Sequence, residues 1–257
     1  MLIPIGTTLE NRRKPTVTHL LIAVNLIIYA LQWGVVRSGG LLSNDELVQS
    51  VARVIDHCSL SNSPFHWYAL FSYQFLHGSW WHVIGNMIFL LPFGKVAEDR
   101  FGHTGFLGFY LLSGAICGFL HTLFSIAPVI GASGSVCAVT AAFLVLAPKT
   151  NIRVLFVFFL IGFIQIPSVL FVMFFVTIDT FGLISNSLGV NNDPTAWVVH
   201  LGGYSIGFLV SFLLLKTKIV SSSEFDLPTM LVQLKRRRTY AKVVEQSSNV
   251  KIRSADP

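Results

Sequence analysis

Charge is what this sequence has least of. Asp, Glu, Lys and Arg make up 12% of its 257 residues, against roughly 25% in an ordinary soluble domain. A soluble chain of this length could bury a large core, but it would still need a charged, wetted surface. Cysteine is scarce too: Cys58, Cys117 and Cys137 are odd in number and show no metal-ligand spacing, which argues against a disulfide scaffold or a zinc site. They read as small apolar fillers. No His-Glu-x-x-His string is present for a zinc hydrolase, and no Gly-x-Gly-Asp string for an aspartyl protease. Nor is a cleavable signal peptide evident: Arg12, Arg13 and Lys14 precede an apolar run long enough to span a membrane, with no small-residue cleavage site.

What is abundant is apolar sequence. Hydrophobic residues make up 53% of the chain, the mean hydropathy is +0.67, and residues 15–36, 57–94, 101–148, 154–178 and 194–215 carry no charge. A spanning helix needs about 20 largely apolar residues. The pattern predicts helices over 16–36, 80–97, 104–125, 132–148, 168–188 and 196–216, with Pro128 and Gly131 splitting the longest uncharged stretch. Residues 154–166 are apolar but short, and Ile166-Pro167 marks a break. They read as an interfacial or re-entrant segment.

Basic residues set the expected orientation. With six spans and a cytoplasmic N-terminus, Arg12, Arg13, Lys14, Lys95, Arg100, Lys149, Arg153, Lys216, Lys218 and the seven basic residues of the tail lie inside. Only Arg37 and Arg53 lie outside, so the 18 basic residues divide 16 to 2. A seventh span would expel the tail. The fold class expected is therefore all-α: a polytopic six-transmembrane-helix bundle with both termini cytoplasmic. A segment 1–15 leads into the membrane domain 16–217, whose outer loop 37–79 is amphipathic and aromatic. The polar, basic tail 218–257 is expected to be disordered and to touch anionic lipid. The net charge of +6 resides in these flanks and is not interleaved with aromatics, so no nucleic-acid partner is implied.

Three of the predicted helices carry candidate chemistry. Gly131-Ala132-Ser133-Gly134 opens the fourth, placing Ser133 in a first turn, where free N–H groups favour developing negative charge. Ser133 could equally serve as an N-cap or small packing residue. In the sixth helix, His200, Gly203 and Gly207 fall at i, i+3 and i+7, so an ionisable residue sits on a small-residue stripe. Ser133, Cys137 and Ala141 form a matching stripe on the fourth. The second helix offers His82 and Asn86 at i and i+4, two potential hydrogen-bond donors on one face. His77 is expected to support local structure. In the six-span arrangement these three helices run outside to inside, so His82, Ser133 and His200 share a depth below the outer surface.

These residues, in this order, carry a resemblance. Over about residues 15–217 the chain resembles the rhomboid family of intramembrane serine proteases: His77-Gly78 with His82 and Asn86, Glu98 and Arg100, Gly131-Ala132-Ser133-Gly134, and His200 with Gly203 and Gly207. The resemblance implies Ser133 as nucleophile and His200 as general base and then acid. It implies His82 and Asn86, with the Ser133 backbone N–H, as oxyanion donors, and Gly131 is grouped with that set. No cofactor or metal is implied. The partners implied are transmembrane protein substrates and membrane lipid, and the expected location is a bacterial plasma membrane. A catalytically inactive rhomboid-like protein that binds membrane clients is the alternative.

Departures from the family pattern are specific. Tyr68-Ala69 stands where relatives often have Trp-Arg, Cys137 stands one turn after the nucleophile where many have an aromatic against the histidine, and the loop 185–195 is long. No third triad carboxylate is expected. Asp179 is assigned to a buried polar contact or an outer-end position rather than to the dyad, which leaves the orientation of His200 unaccounted for.

Overall fold

The computed structural model describes residues 2–42, 45–157, 161–190 and 195–253. In chain order the elements are strand β1 (Leu2–Thr7), helices α1 (Thr16–Leu42), α2 (Asp45–Cys58), α3 (Ala69–Ser72), α4 (Trp80–Phe101), α5 (His103–Phe124) and α6 (Ser133–Leu146), strands β2 (Asn151–Val157) and β3 (Ile161–Pro167), and helices α7 (Ser168–Ser187), α8 (Trp197–Lys216) and α9 (Leu227–Arg253). Four segments are long and apolar enough to cross a membrane: Thr16–Val35 of α1, α5, α7 and α8. Their outward faces are apolar, as Leu112, Ile116, Phe119 and Leu123 on α5 show, while Asn25, Ser113, Ser135, Thr140 and Ser211 are buried inside. This inversion of the soluble pattern suits a hydrocarbon surround. At the centre lies α6, nearly every residue of which is buried.

The C-terminal end of α4 ties the bundle together. Glu98 is fully buried and caps the start of α1: its Oε1 accepts from the Val17 N–H at 2.8 Å and its Oε2 from the Thr18 N–H at 2.8 Å and hydroxyl at 2.7 Å. His103 Nδ1 completes the shell at 2.6 Å from Oε1. Asp99 accepts from the backbone N–H groups of Arg12 and Arg13 at 3.0 and 2.7 Å. Arg100 donates to Leu146 O at the end of α6 (3.4 Å) and to Ser221 O (2.8 Å) and Ser223 Oγ (2.9 Å). Because every lone pair of Glu98 faces a donor, Glu98→Gln turns its amide against those donors. The expected cost is about 3 kcal/mol, read as a lower unfolding midpoint in detergent, with Asp99→Asn, whose bonds are exposed, costing less.

The segment before α4 positions the connection that leads into Ser133 at the start of α6. Tyr73 donates its hydroxyl to Gly114 O at 2.7 Å, and the side chains of Tyr73 and Gln74 fill the space where Cβ atoms on Gly118 and Gly114 would stand. Leu60 and Val129 exchange backbone hydrogen bonds at 3.1 and 2.9 Å, and Gly131 N–H donates to Tyr73 O at 2.9 Å. The α5–α6 connection is thus stitched to that segment immediately before α6 begins.

Two expectations are corrected. The fold is mostly helical rather than all-α, because of the apolar segment 154–166 the described residues 154–157 and 161–166 are strand: β2 and β3 pair antiparallel, and β1 pairs antiparallel with β2, while 158–160 lie outside the described residues. Ile152 and Val154 are buried on either side of exposed Arg153, the period-2 alternation of a strand with one covered face. Pairing with β1 satisfies backbone groups that a lone apolar segment would leave open. The tail expected to be disordered carries α9. Asp226, fully buried, caps it by accepting from Thr229 N–H at 3.0 Å and lies 3.6 Å from Arg100, which anchors the helix to α4. Of the long connection 185–195, residues 191–194 lie outside the described residues.

Candidate active site

A cavity of about 870 Å³ opens between α4, the α5–α6 connection, α6, α7 and α8, and Ser133, His200, His82 and Asn86 all line it. Each lies in the first or second turn of its helix: Ser133 begins α6, His82 and Asn86 follow the start of α4 at Trp80, and His200 follows the start of α8 at Trp197. The convergence comes from close helix contact. A Cβ on Gly203 would stand 2.5 Å from Gly134 O, and one on Gly207 would run into the Ala138 backbone. The stripe His200, Gly203, Gly207 therefore seats α8 directly on Gly134, Cys137 and Ala138 of α6, one residue round from the expected Ser133, Cys137, Ala141 stripe, of which only Cys137 lies in the contact. Ser133 is half-buried, and no hydrogen bond joins it to His200 among the described residues. A catalytic hydrogen bond is often long until substrate binds.

The α4 side of the cavity is fixed by Ser79, whose Oγ accepts from the His82 N–H at 3.1 Å and caps the helix. His77, in the loop ahead of α4, is 2% exposed. Burial pushes its imidazole down to about 4, and neighbouring His82 adds to the effect, so it is neutral at pH 7. Its Nε2 accepts from Asn86 Nδ2 at 3.1 Å. One of the two Asn86 N–H bonds is thereby committed and the other is left for the cavity. The His77 and His82 rings meet edge to face at 5.0 Å.

Gly131 does not supply an oxyanion donor, since its N–H is donated to Tyr73 O. Its part in the site is steric. Its φ is +125°, a conformation that L side chains rarely adopt, and a Cβ there would stand 2.7 Å from His82 Nε2. The glycine lets the loop before Ser133 lie against the His82 ring.

Residues 64–217 match the family described as the Rhomboid domain, more than half of the chain. The chain belongs to the rhomboid family. No curated protein matches it. With four long apolar helices around a rhomboid domain, it is an integral, multi-pass membrane protein.

One contact in this rhomboid had no partner from the sequence. Asp179 on α7 places Oδ2 3.2 Å from His200 Nδ1, so the buried polar contact expected of it is with His200. Trp197 adds an edge-to-face contact on the His200 ring, 5.8 Å between centroids at 80°. The indole itself is seated over Gly182 of α7, where a Cβ would stand 2.6 Å from it. The signal for Asp179 was present: an acid alone in an otherwise uncharged apolar helix demands a partner. Its partner was hidden because α7 and α8 meet through the fold and not through any sequence spacing.

Proposed function

We propose that this rhomboid is an intramembrane serine endopeptidase that cleaves spanning segments of membrane proteins near the outer face. The observation that carries the proposal is the single cavity onto which Ser133, His200, His82 and Asn86 all open. In this reading α1, α4, α5, α6, α7 and α8 are the six spans and both termini are cytoplasmic. Helix α6 has 14 residues, which gives it a length of about 21 Å, short of the roughly 30 Å hydrocarbon thickness. Ser133 at its outer end then sits below the membrane surface, and the cavity admits water to it.

The chemistry follows from the groups at hand. His200 Nε2 takes the Ser133 hydroxyl proton as Oγ bonds to the scissile carbonyl carbon, whose oxygen becomes the oxyanion. His82, the free N–H of Asn86 and the Ser133 backbone N–H stabilise that charge. Collapse breaks the C–N bond, and His200 returns its proton to the leaving amine. Water, deprotonated by His200, then attacks the acyl-enzyme and frees Ser133. The substrate is a transmembrane protein, no cofactor takes part, and lipid surrounds the site.

The test is labelling with a fluorophosphonate, which reacts only with an activated serine, in protein reconstituted with a transmembrane substrate. Cleavage by the unlabelled protein, a covalent adduct at Ser133 on labelling, and loss of cleavage once labelled are expected. Substrate that is bound but not cleaved, with no adduct at Ser133, would sink the enzyme reading in favour of a client-binding protein.

A further inference from the structure

We infer that Asp179 is a positioning residue for His200, so that the catalytic centre of this chain works as a Ser133–His200–Asp179 triad. The inference rests on the dyad reading above and deepens it. Asp179 Oδ2 lies 3.2 Å from His200 Nδ1. Asp179 is 7% exposed, on a helix that carries no other charge. An acid in such a place is costly unless a donor answers it, and His200 Nδ1 does. A carboxylate opposite Nδ1 fixes the proton on that nitrogen and leaves Nε2 as the free base, the tautomer the Ser133 proton transfer needs. It also stabilises the imidazolium that forms when Nε2 takes the proton.

The space around the contact is made by a small residue. Cys137, one turn after Ser133, has its sulfur in a cluster with an Asp179 oxygen and a His200 nitrogen, all within 4.8 Å of one another. A bulky side chain at 137 would fill the volume through which the carboxylate reaches the ring. Helix α7 therefore supplies from the side what α6 does not supply by packing. Tyr204, one turn along α8 from His200, packs on Cys137 and closes the cluster. The same three atoms lie close enough to ligate a divalent cation, but the Asp179–His200 bond pairs two of them without one.

The experiment compares wild type, Asp179→Asn and Asp179→Glu by three readouts: kcat and KM on a reconstituted transmembrane substrate, unfolding midpoint, and the ¹⁵N resonances of His200. Asp179→Asn is expected to lower kcat about 100-fold or more while KM moves by less than about threefold. Asp179→Glu should recover about tenfold of that loss. The His200 spectrum should show Nδ1–H in the wild type and a shift toward Nε2–H in Asp179→Asn. A tether that merely holds α7 to α8 would lower the unfolding midpoint and leave the tautomer unchanged, and that result overturns the inference. So does an Asp179→Asn protein with wild-type kcat, which would leave the dyad reading intact. A wild type that shows the Nδ1–H tautomer but cleaves nothing supports the Asp179 contact and removes the protease reading instead. Loss of kcat on chelation, restored by Zn²⁺, would overturn the positioning role in favour of a bound cation.

Discussion

Ser133→Ala, His200→Ala and the variant carrying both substitutions are expected to cleave a transmembrane substrate at one common residual rate, about 10⁴-fold or more below wild type. In the proposed mechanism the two side chains act in one proton transfer. Without His200 the Ser133 hydroxyl keeps its proton and is a poor nucleophile, and without Ser133 the base has nothing to deprotonate but water. Whichever is lost first removes the whole step, so the second loss costs little. Independent contributions would instead multiply, putting the double variant about another 10⁴-fold lower. Single-turnover cleavage of a reconstituted substrate separates the two cases, and multiplicative losses would show that Ser133 and His200 do not function together. His82→Ala or Asn86→Ala should cost less, about 10- to 1000-fold each. The oxyanion has three donors, and one N–H of Asn86 is already committed to His77.

What was legible in the sequence is what local rules specify. The charge-free runs and their glycine and proline breaks placed α1, α4, α5, α6, α7 and α8 to within a few residues at most ends. The glycine stripe of α8 identified the face that meets α6, because a glycine row on a spanning helix has few purposes besides close contact, whereas on α6 the contact falls on Gly134, Cys137 and Ala138 and shares only Cys137 with the expected stripe. The β2–β3 pair was less accessible. Residues 151–154 alternate as a strand does, but the run beyond them is continuously apolar and flanked by spans, and strand β1, which stabilises it, comes from about 150 residues earlier in the chain. Helix α9 had local signals in Asp226 and Pro228. The polar, basic composition beyond them pointed to disorder, and the anchor on Arg100 is a tertiary contact. The carboxylate beside His200 belongs to the same class: Asp179 was visible as an anomaly, whereas its distance from the imidazole depends on how α7 leans on α8. Gly131 shows the limit from the other direction. Its motif was noticed, but its N–H proved to be held by Tyr73, which only the folded segment before α4 could reveal.

Gly207→Val is expected to lower kcat/KM about 100-fold or more although Gly207 lies two turns from His200 and touches no reacting atom. A Cβ at Gly207 would run into the carbonyl oxygen and Cα of Ala138 on α6. These are backbone atoms of a buried central helix, so neither can swing aside. Helix α8 must move outward instead, and the rigid stripe carries His200 away from Ser133. A displacement of about 1 Å at a reacting group costs on the order of 100-fold, and the overpacking itself about 1–3 kcal/mol of stability. Gly202→Ala provides the control on the same helix. A Cβ there meets only the Leu120 side chain, at 3.8 Å, so cleavage and the unfolding midpoint should stay near wild type. The comparison separates geometry from general intolerance to substitution in α8. If both variants lose activity equally, the helix is sensitive throughout and the α6–α8 stripe is not what sets the distance between nucleophile and base. If only Gly207→Val fails, the catalytic geometry is set by backbone contact between two helices, with the glycines of α8 as its spacing elements.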